Sequence, residues 1–294
     1  MRLLFVCGGT GGHINPALSV ANYVRERRPD ASILFVGTPK GMENRLVTEQ
    51  GFPIRGVNVK GFQRKLSFEN IRRNVDAVYR LMTVRGEVRA VLKDFQPDAV
   101  IGTGGYVSGP VVLEAAKQGI PTVIHEQNAF PGVTTKLLSQ HATSILLAVE
   151  EAKAYLKCPE RCKVVGNPIR EEMMLAKKSE AKQRLGLDDR KVLLSYGGSL
   201  GARRINEAVA DLIAWHIREG QLQHLHATGK YGVELMPRLL NERKIAVEKY
   251  PQVRITEYID DMANYMAAAD LVICRAGAIT LSELQAQGKP SILI

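Results

Sequence analysis

Along most of the chain, short apolar runs alternate with amphipathic stretches of helical length. Residues 3–6, 33–36, 99–101, 122–124, 192–195, 271–273 and 291–294 predict strands, and the stretches between them carry the spacing of helices packed on a sheet. Strand, loop and helix repeated in this way is the βαβ signature of a parallel sheet covered by helices, so the expected fold class is α/β. In one helical stretch Leu212, Ile213, Trp215 and Ile217 cluster, which puts Trp215 on a core face rather than on a stacking platform.

The pattern also repeats. L-L-F-V-C-G-G-T-G-G-H-I-N from Leu3 is similar to L-L-S-Y-G-G-S-L-G-A-R-R-I-N from Leu193. The stretches from Asp98 and Asp270 match as well: an Asp, an apolar strand, a glycine turn, a helix with a glutamate (Glu114, Glu283), then G-x-P and the next strand. The chain therefore reads as two Rossmann-like domains facing a cleft, residues 1–164 and 165–294. The hinge is expected where Gly166 and Asn167-Pro168 interrupt the helical pattern.

In such folds the loops after the strands face the ligand. Each half offers two, residues 8–13 and 102–110 in the first, 197–201 and 275–280 in the second. Each leads into a helix amino terminus, where free N–H groups and the helix dipole attract an anion. Four such positions point to phosphate-rich substrates.

Charge agrees with this. The 294 residues carry 40 Lys and Arg against 30 Asp and Glu, a net +10, which favours an anionic partner. Residues 60–93 hold nine basic residues, including Arg85, Arg89 and Lys93, against three acidic ones, interleaved with Phe62, Leu66, Phe68, Ile71, Leu81 and Met82. That is a basic amphipathic segment suited to an anionic membrane surface. No apolar run approaches the roughly 20 residues that span a bilayer, and no signal-peptide pattern precedes the first glycine loop, so the expected location is the cytoplasmic face of a membrane, held peripherally. Nucleic acid is not expected as a partner, because no recognised binding motif accompanies the charge.

The usual phosphate chemistries are excluded in turn. Gly9, Gly11 and Ile14 break the G-x-G-x-x-G spacing, and no acidic residue ends the second strand, which argues against a dinucleotide; no G-x-x-x-x-G-K-S/T occurs. Asp188-Asp189 and Asp260-Asp261 are adjacent pairs whose side chains diverge, so no D-x-D set is available for Mg²⁺. Cys158 and Cys162 lack the partners of a zinc site and, with Cys7 and Cys274, are expected as reduced thiols. No metal and no cofactor is expected, and a leaving diphosphate would be stabilised by helix termini and by cations such as Arg170 or Arg275.

The residues also carry a family resemblance. G-G-T-G-G-H-I-N-P-A-L from Gly8, G-G-Y-V-S-G-P from Gly104, H-E-Q-N from His125, V-G-N-P-I-R from Val165, G-G-S-L-G-A-R from Gly197, Y-I-D-D-M from Tyr258 and R-A-G-A-I-T-L-S-E from Arg275 resemble the MurG glycosyltransferases, in family order and over nearly the whole chain. The resemblance implies the two-domain GT-B fold and metal-independent transfer of N-acetylglucosamine from its UDP donor to the membrane-borne lipid I, giving lipid II. It implies that the second half holds UDP-N-acetylglucosamine. Ser199 would meet the diphosphate, the Ile259 backbone the uracil, and Ala278, Ile279 and Thr280 would bring N–H groups to phosphate. Leu281 and Ser282 lie in the same stretch, and Glu283 would accept from the ribose hydroxyls. Asn128 and Arg170 match donor contacts, with Thr10, Gly11 and Gly12 contributing from the first half. The acceptor would use Gly104, Gly105, Tyr106 and Ser108. The family pattern continues past Ile294, so the second domain is expected to be incomplete and the activity of this chain to be in question. A UDP-sugar epimerase, another glycosyltransferase of the same fold, or a catalytically impaired sugar-nucleotide-binding protein are the alternatives.

Inverting displacement at the anomeric carbon needs a base for the attacking hydroxyl. His13 is the first candidate and Glu126 the second; the alternative for His13 is a hydrogen bond to phosphate or a helix cap. His125 reads as a core-edge residue, and His141, His216, His224 and His226 as structural or solvated.

Overall fold

The computed structural model describes residues 1–59 and 84–294, and its chain divides into two compact units, Met1–Pro168 and Ile169–Ile294. Most of the basic segment expected to meet a membrane lies outside the described residues. Its described end is the helix over 84–95, here α3, whose Val84, Val88, Val91 and Leu92 are buried.

The first unit is a seven-stranded parallel sheet in the order β3-β2-β1-β4-β5-β6-β7. The strands are β1 (Arg2–Val6), β2 (Ser32–Gly37), β3 (Ile54–Gly56), β4 (Ala99–Gly102), β5 (Thr122–Glu126), β6 (Ser144–Leu147) and β7 (Cys162–Val164). Helices α1 (Gly11–Arg27), α2 (Met42–Glu49), α4 (Ser108–Lys117) and α5 (Val133–Leu138) complete it with α3. Because strand side chains alternate, β1 supplies both cores. Leu4 and Val6 pack with Val88, Val100 and Val111; Leu3 and Phe5 pack with Ile14, Ala17, Phe35 and Phe52. Phe5 stacks on Phe35 at 5.3 Å.

The second unit repeats the first five strands in the order β10-β9-β8-β11-β12, again all parallel. These are β8 (Lys191–Tyr196), β9 (Leu222–Ala227), β10 (Val253–Thr256), β11 (Leu271–Cys274) and β12 (Ser291–Leu293). Its helices are α6 (Glu171–Leu175), α7 (Lys178–Arg184), α8 (Arg203–His216), α9 (Leu235–Glu242), α10 (Met262–Ala268) and α11 (Ala278–Ala286). The order 3-2-1-4-5 in both units is the Rossmann arrangement expected from the duplicated motifs.

One face of the second sheet departs from the first. Ser195 pairs in register with His226, as Phe5 does with Phe35, so a polar pair takes the place of the aromatic stack. Asn206 on α8 donates Nδ2–H to the Thr228 carbonyl at 3.0 Å, leaving its oxygen to accept from His226 Nε2 at 3.1 Å. His226 Nδ1 lies 2.8 Å from Ser195 Oγ and 3.1 Å from the Ser195 carbonyl, Ser195 Oγ lies 2.8 Å from His224 Nε2, and His224 Nδ1 lies 3.0 Å from His216 Nε2. All three rings are buried, so the structural alternative holds for them and the solvated one does not; His141 is exposed.

Trp215 is corrected by the structure. It is 68% exposed, because the buried face of α8 is set by Ile205, Val209, Ile213 and His216, and a residue two positions from Ile213 points away from that face.

Candidate functional site

In the first unit the two glycine loops are stitched together. Thr103 N–H and the Ser108 hydroxyl both reach the Val6 carbonyl, at 3.1 Å each, and Thr103 Oγ1 donates to the His13 carbonyl at 2.6 Å. Gly104 and Gly105 have φ of +119° and +84°. A Cβ at Gly104 would overlap the His13 ring, and one at Gly105 would overlap the Gly8 carbonyl, so only glycine lets the loops close on each other. Helix α1 starts at Gly11 with an extended Thr10 before it and no side-chain cap; the His13 N–H closes the first turn on the Thr10 carbonyl at 3.0 Å, and the helix dipole favours an anion at this end.

Glu43 shapes the first loop from beneath. Buried on α2, it accepts from Gly9 N (3.2 Å), Thr38 N (2.7 Å) and Thr38 Oγ1 (2.7 Å), and a Cβ at Gly8, Gly37 or Gly41 would collide with it. Its partners come from two segments, the first glycine loop and residues 37–41 just before Glu43, so the contact to Gly9 spans 34 positions.

The structure separates the candidate bases. Glu126 Oε1 accepts from Asn128 N (3.1 Å) and Asn128 Nδ2 (2.9 Å), and Oε2 accepts from Gly132 N (3.0 Å) and Thr135 Oγ1 (2.5 Å). Four donors on a buried carboxylate describe a clamp on the loop over 127–135. His13 is half-buried, with Nδ1 3.2 Å from Gln127 Oε1. Ser108 is buried with its hydroxyl between the Val6 and Gly104 carbonyls, so it holds the loop; Tyr106 is 61% exposed. Asn128 is exposed at its side chain although its amide nitrogen is bound to Glu126.

The repeated glutamates diverge. Glu114 is buried and met by Arg89 (2.6 Å) and Arg85 (3.1 Å); burial alone would raise its pKa, but these hydrogen bonds outweigh it and hold the carboxyl below the usual range. Two of the cations expected for a membrane are thus committed within the fold, while Lys93 is exposed.

In the second unit Glu283 sits on the first turns of α11, buried, with Arg170 Nη2 3.9 Å away. Burial raises its pKa and Arg170 opposes the rise. Arg170 also pairs with Glu172 at 2.9 Å, and its buried Nε has no partner among the described residues. Helix α11 begins at Ala278 after an extended Gly277 without a side-chain cap; Ile279, Thr280, Leu281 and Ser282 are half-buried on the same turns. Tyr196, missed in the sequence, lies under this helix among Cys274, Thr280 and Glu283, and burial pushes its hydroxyl pKa up. Ser199 is half-buried in the loop after β8, its carbonyl accepting from Lys230 N at 3.1 Å, and Ile259 is buried. Each half therefore presents a glycine loop, a helix amino terminus behind it and a buried polar cluster.

Comparison with known proteins gives the class. Residues 3–147 match the glycosyltransferase family 28 N-terminal domain and residues 192–294 the glycosyltransferase family 28 C-terminal domain, so the chain is a glycosyltransferase of the two-domain GT-B fold. A curated relative from Acetivibrio thermocellus is 46% identical over 100% of this chain and 78% of its own length; it is named UDP-N-acetylglucosamine–N-acetylmuramyl-(pentapeptide) pyrophosphoryl-undecaprenol N-acetylglucosamine transferase. The crystal structure of Acinetobacter baumannii MurG is 29% identical, with a TM-score of 0.68, over 100% of this chain and 78% of that one. The chain belongs to the MurG family. A Neisseria meningitidis UDP-GlcNAc 2-epimerase bound to UDP-GlcNAc, 15% identical with a TM-score of 0.66 over 100% of this chain and 82% of its own, shares the fold.

Proposed function

We propose that this chain transfers N-acetylglucosamine from UDP-N-acetylglucosamine to the undecaprenyl-diphosphate-linked N-acetylmuramyl-pentapeptide, lipid I, with inversion and without a metal. The relation to the Acetivibrio thermocellus transferase over the full chain carries the proposal. The hydroxyl oxygen of the acceptor sugar bonds to the anomeric carbon, the bond from that carbon to the diphosphate breaks, and UDP leaves with the electron pair. His13 takes the hydroxyl proton. Glu126, already occupied by four donors, supports the loop beside it. The amino-terminal dipole of α11 and Arg170 receive charge on the diphosphate, Ser199 and Ile259 contact the nucleotide, and Glu283 accepts from the ribose.

The acceptor is lipid-borne, so contact with an anionic membrane surface belongs to the same reading. No helix among the described residues is long and apolar enough to cross a membrane, and exposed Lys93 continues the basic segment of residues 60–83. Labelled UDP-N-acetylglucosamine with a lipid I analogue tests the proposal: acceptor-dependent transfer with release of UDP is expected. Sugar epimerisation without an acceptor, or donor binding with no transfer, would overturn it.

A further inference from the structure

A hydrogen-bond chain in the first unit fixes which nitrogen of His13 carries the proton. The Gly166 carbonyl can only accept, so His125 Nε2, 2.9 Å away, is the protonated nitrogen. Burial lowers the pKa of His125 and keeps the ring neutral, leaving Nδ1 as an acceptor. That acceptor is 3.0 Å from Gln127 Nε2, which also lies 2.8 Å from the Thr103 carbonyl and 3.1 Å from the His125 carbonyl. Turning the amide over would set its oxygen against two carbonyl oxygens, so the nitrogen stays on that side. Gln127 Oε1 then faces His13 Nδ1 at 3.2 Å, and an amide oxygen only accepts. His13 Nδ1 must be the N–H, which leaves Nε2 with a bare lone pair.

We propose that Gln127 is a positioning residue that holds His13 in the Nδ1–H tautomer, so that Nε2 is the atom available to take a proton. This rests on the assignment of His13 as base. Gly104 packs where its Cβ would overlap the ring, and Thr103 binds the His13 carbonyl, so ring, amide and backbone restrain one another. During transfer, the proton of the attacking hydroxyl moves to Nε2 as the new carbon–oxygen bond forms, and the Nδ1–H bond to Gln127 persists in the imidazolium. With the opposite tautomer, Nε2 would present a hydrogen to the hydroxyl and could not act.

The test is nitrogen NMR of the full chain labelled at its six histidines, with His13 assigned by loss of its signals in His13→Gln. A pyrrole-type Nδ1 and a pyridine-type Nε2 are expected for His13 at pH 8; a protonated Nε2, or an average of the two forms, overturns the proposal. Gln127→Leu should mix the tautomers and lower kcat about 10- to 100-fold, within the range set by tautomer loss and general-base loss elsewhere, with KM for UDP-N-acetylglucosamine changed less than about two-fold. An unchanged tautomer and kcat in that variant also overturns it. If Gln127→Leu does not fold, the unmutated spectrum alone decides. Undiminished turnover in His13→Ala would remove the base assignment and leave the tautomer result standing, so the two failures are distinguishable.

Discussion

Acid should loosen the second unit through its cluster of three buried histidines. In the chain from His216 through His224, Ser195 and His226 to Asn206, the rings face one another and uncharged groups in a buried site, and His216 Nδ1 has no partner among the described residues, so an added charge is taken out of water with no carboxylate to pair it. Burial lowers the pKa of His226 from 6.5 to about 4, and burial with its histidine neighbours holds that of His224 well below the ordinary imidazole value. A histidine depressed in the folded state contributes stability that is present above the unfolded pKa and lost as pH falls toward the folded one. For His226 alone the loss is about 2 kcal/mol between pH 7.5 and 5 and about 3 kcal/mol in full, with His224 adding to it. Glu283 has the opposite sign, since its raised pKa makes acidification favour the folded state; Asp270, lowered to about 2, loses its contribution only below the carboxylate range. Urea unfolding at pH 7.5 and pH 5, read by pulse hydrogen exchange on peptides within residues 191–227, should show the midpoint falling by roughly 1 to 2 M at pH 5. In His226→Gln the pH difference should shrink by about 2 kcal/mol. Equal midpoints at the two pH values, or an unchanged difference in that variant, would refute the buried neutral chain.

Four further outcomes follow from the sites. Gly104→Ala should displace the His13 ring and cost about 1–3 kcal/mol at a φ of +119°, seen as a lower melting temperature together with at least ten-fold slower transfer. Glu126→Ala strands the Gly132 and Asn128 amides and the Thr135 hydroxyl, so a stability loss of about 3 kcal/mol is expected in denaturant titration, while protein still folded at low temperature keeps transferring sugar. Glu283→Gln should weaken UDP binding about ten-fold in calorimetry, the loss of one charge-assisted bond to the ribose. Incubation with EDTA should leave the rate of transfer unchanged; loss of activity restored by Mg²⁺ would contradict the metal-independent mechanism.

The sheets were legible where strands are apolar and buried on both faces. Residues 3–6, 33–36, 192–195 and 271–273 stand out because parallel strands under helices read as unbroken hydrophobic runs. Strand β9 does not, since Gln223, His224 and His226 interrupt it, and only their partners on β8 and α8 make those residues compatible with burial. The edge strands β3 and β7 have three residues each and carry Arg55 and Lys163 at their centres, whereas β12, equally short, reads as apolar through Ile292 and Leu293. Trp215 was misplaced because neighbouring Ile213 and Ile217 mark a face that a residue between them does not share.

The candidate site divides along the same physical line. Glycine turns and the helix starts behind them are local, so residues 8–13 and 275–280 could be located from spacing alone. What tunes them is not local: His13 meets Gln127, 114 positions later, and the first loop rests on Glu43. The duplication sharpens the point. It predicts equivalent backbones at Phe5 and Ser195, and the strand registers extend the equivalence to Phe35 and His226. Yet one pair is an aromatic stack and the other part of a five-residue polar chain. A repeat in sequence therefore constrains where strands and loops run, because that depends on period and glycine. It does not constrain the side-chain chemistry between sheet and helix, which each half has solved with different partners.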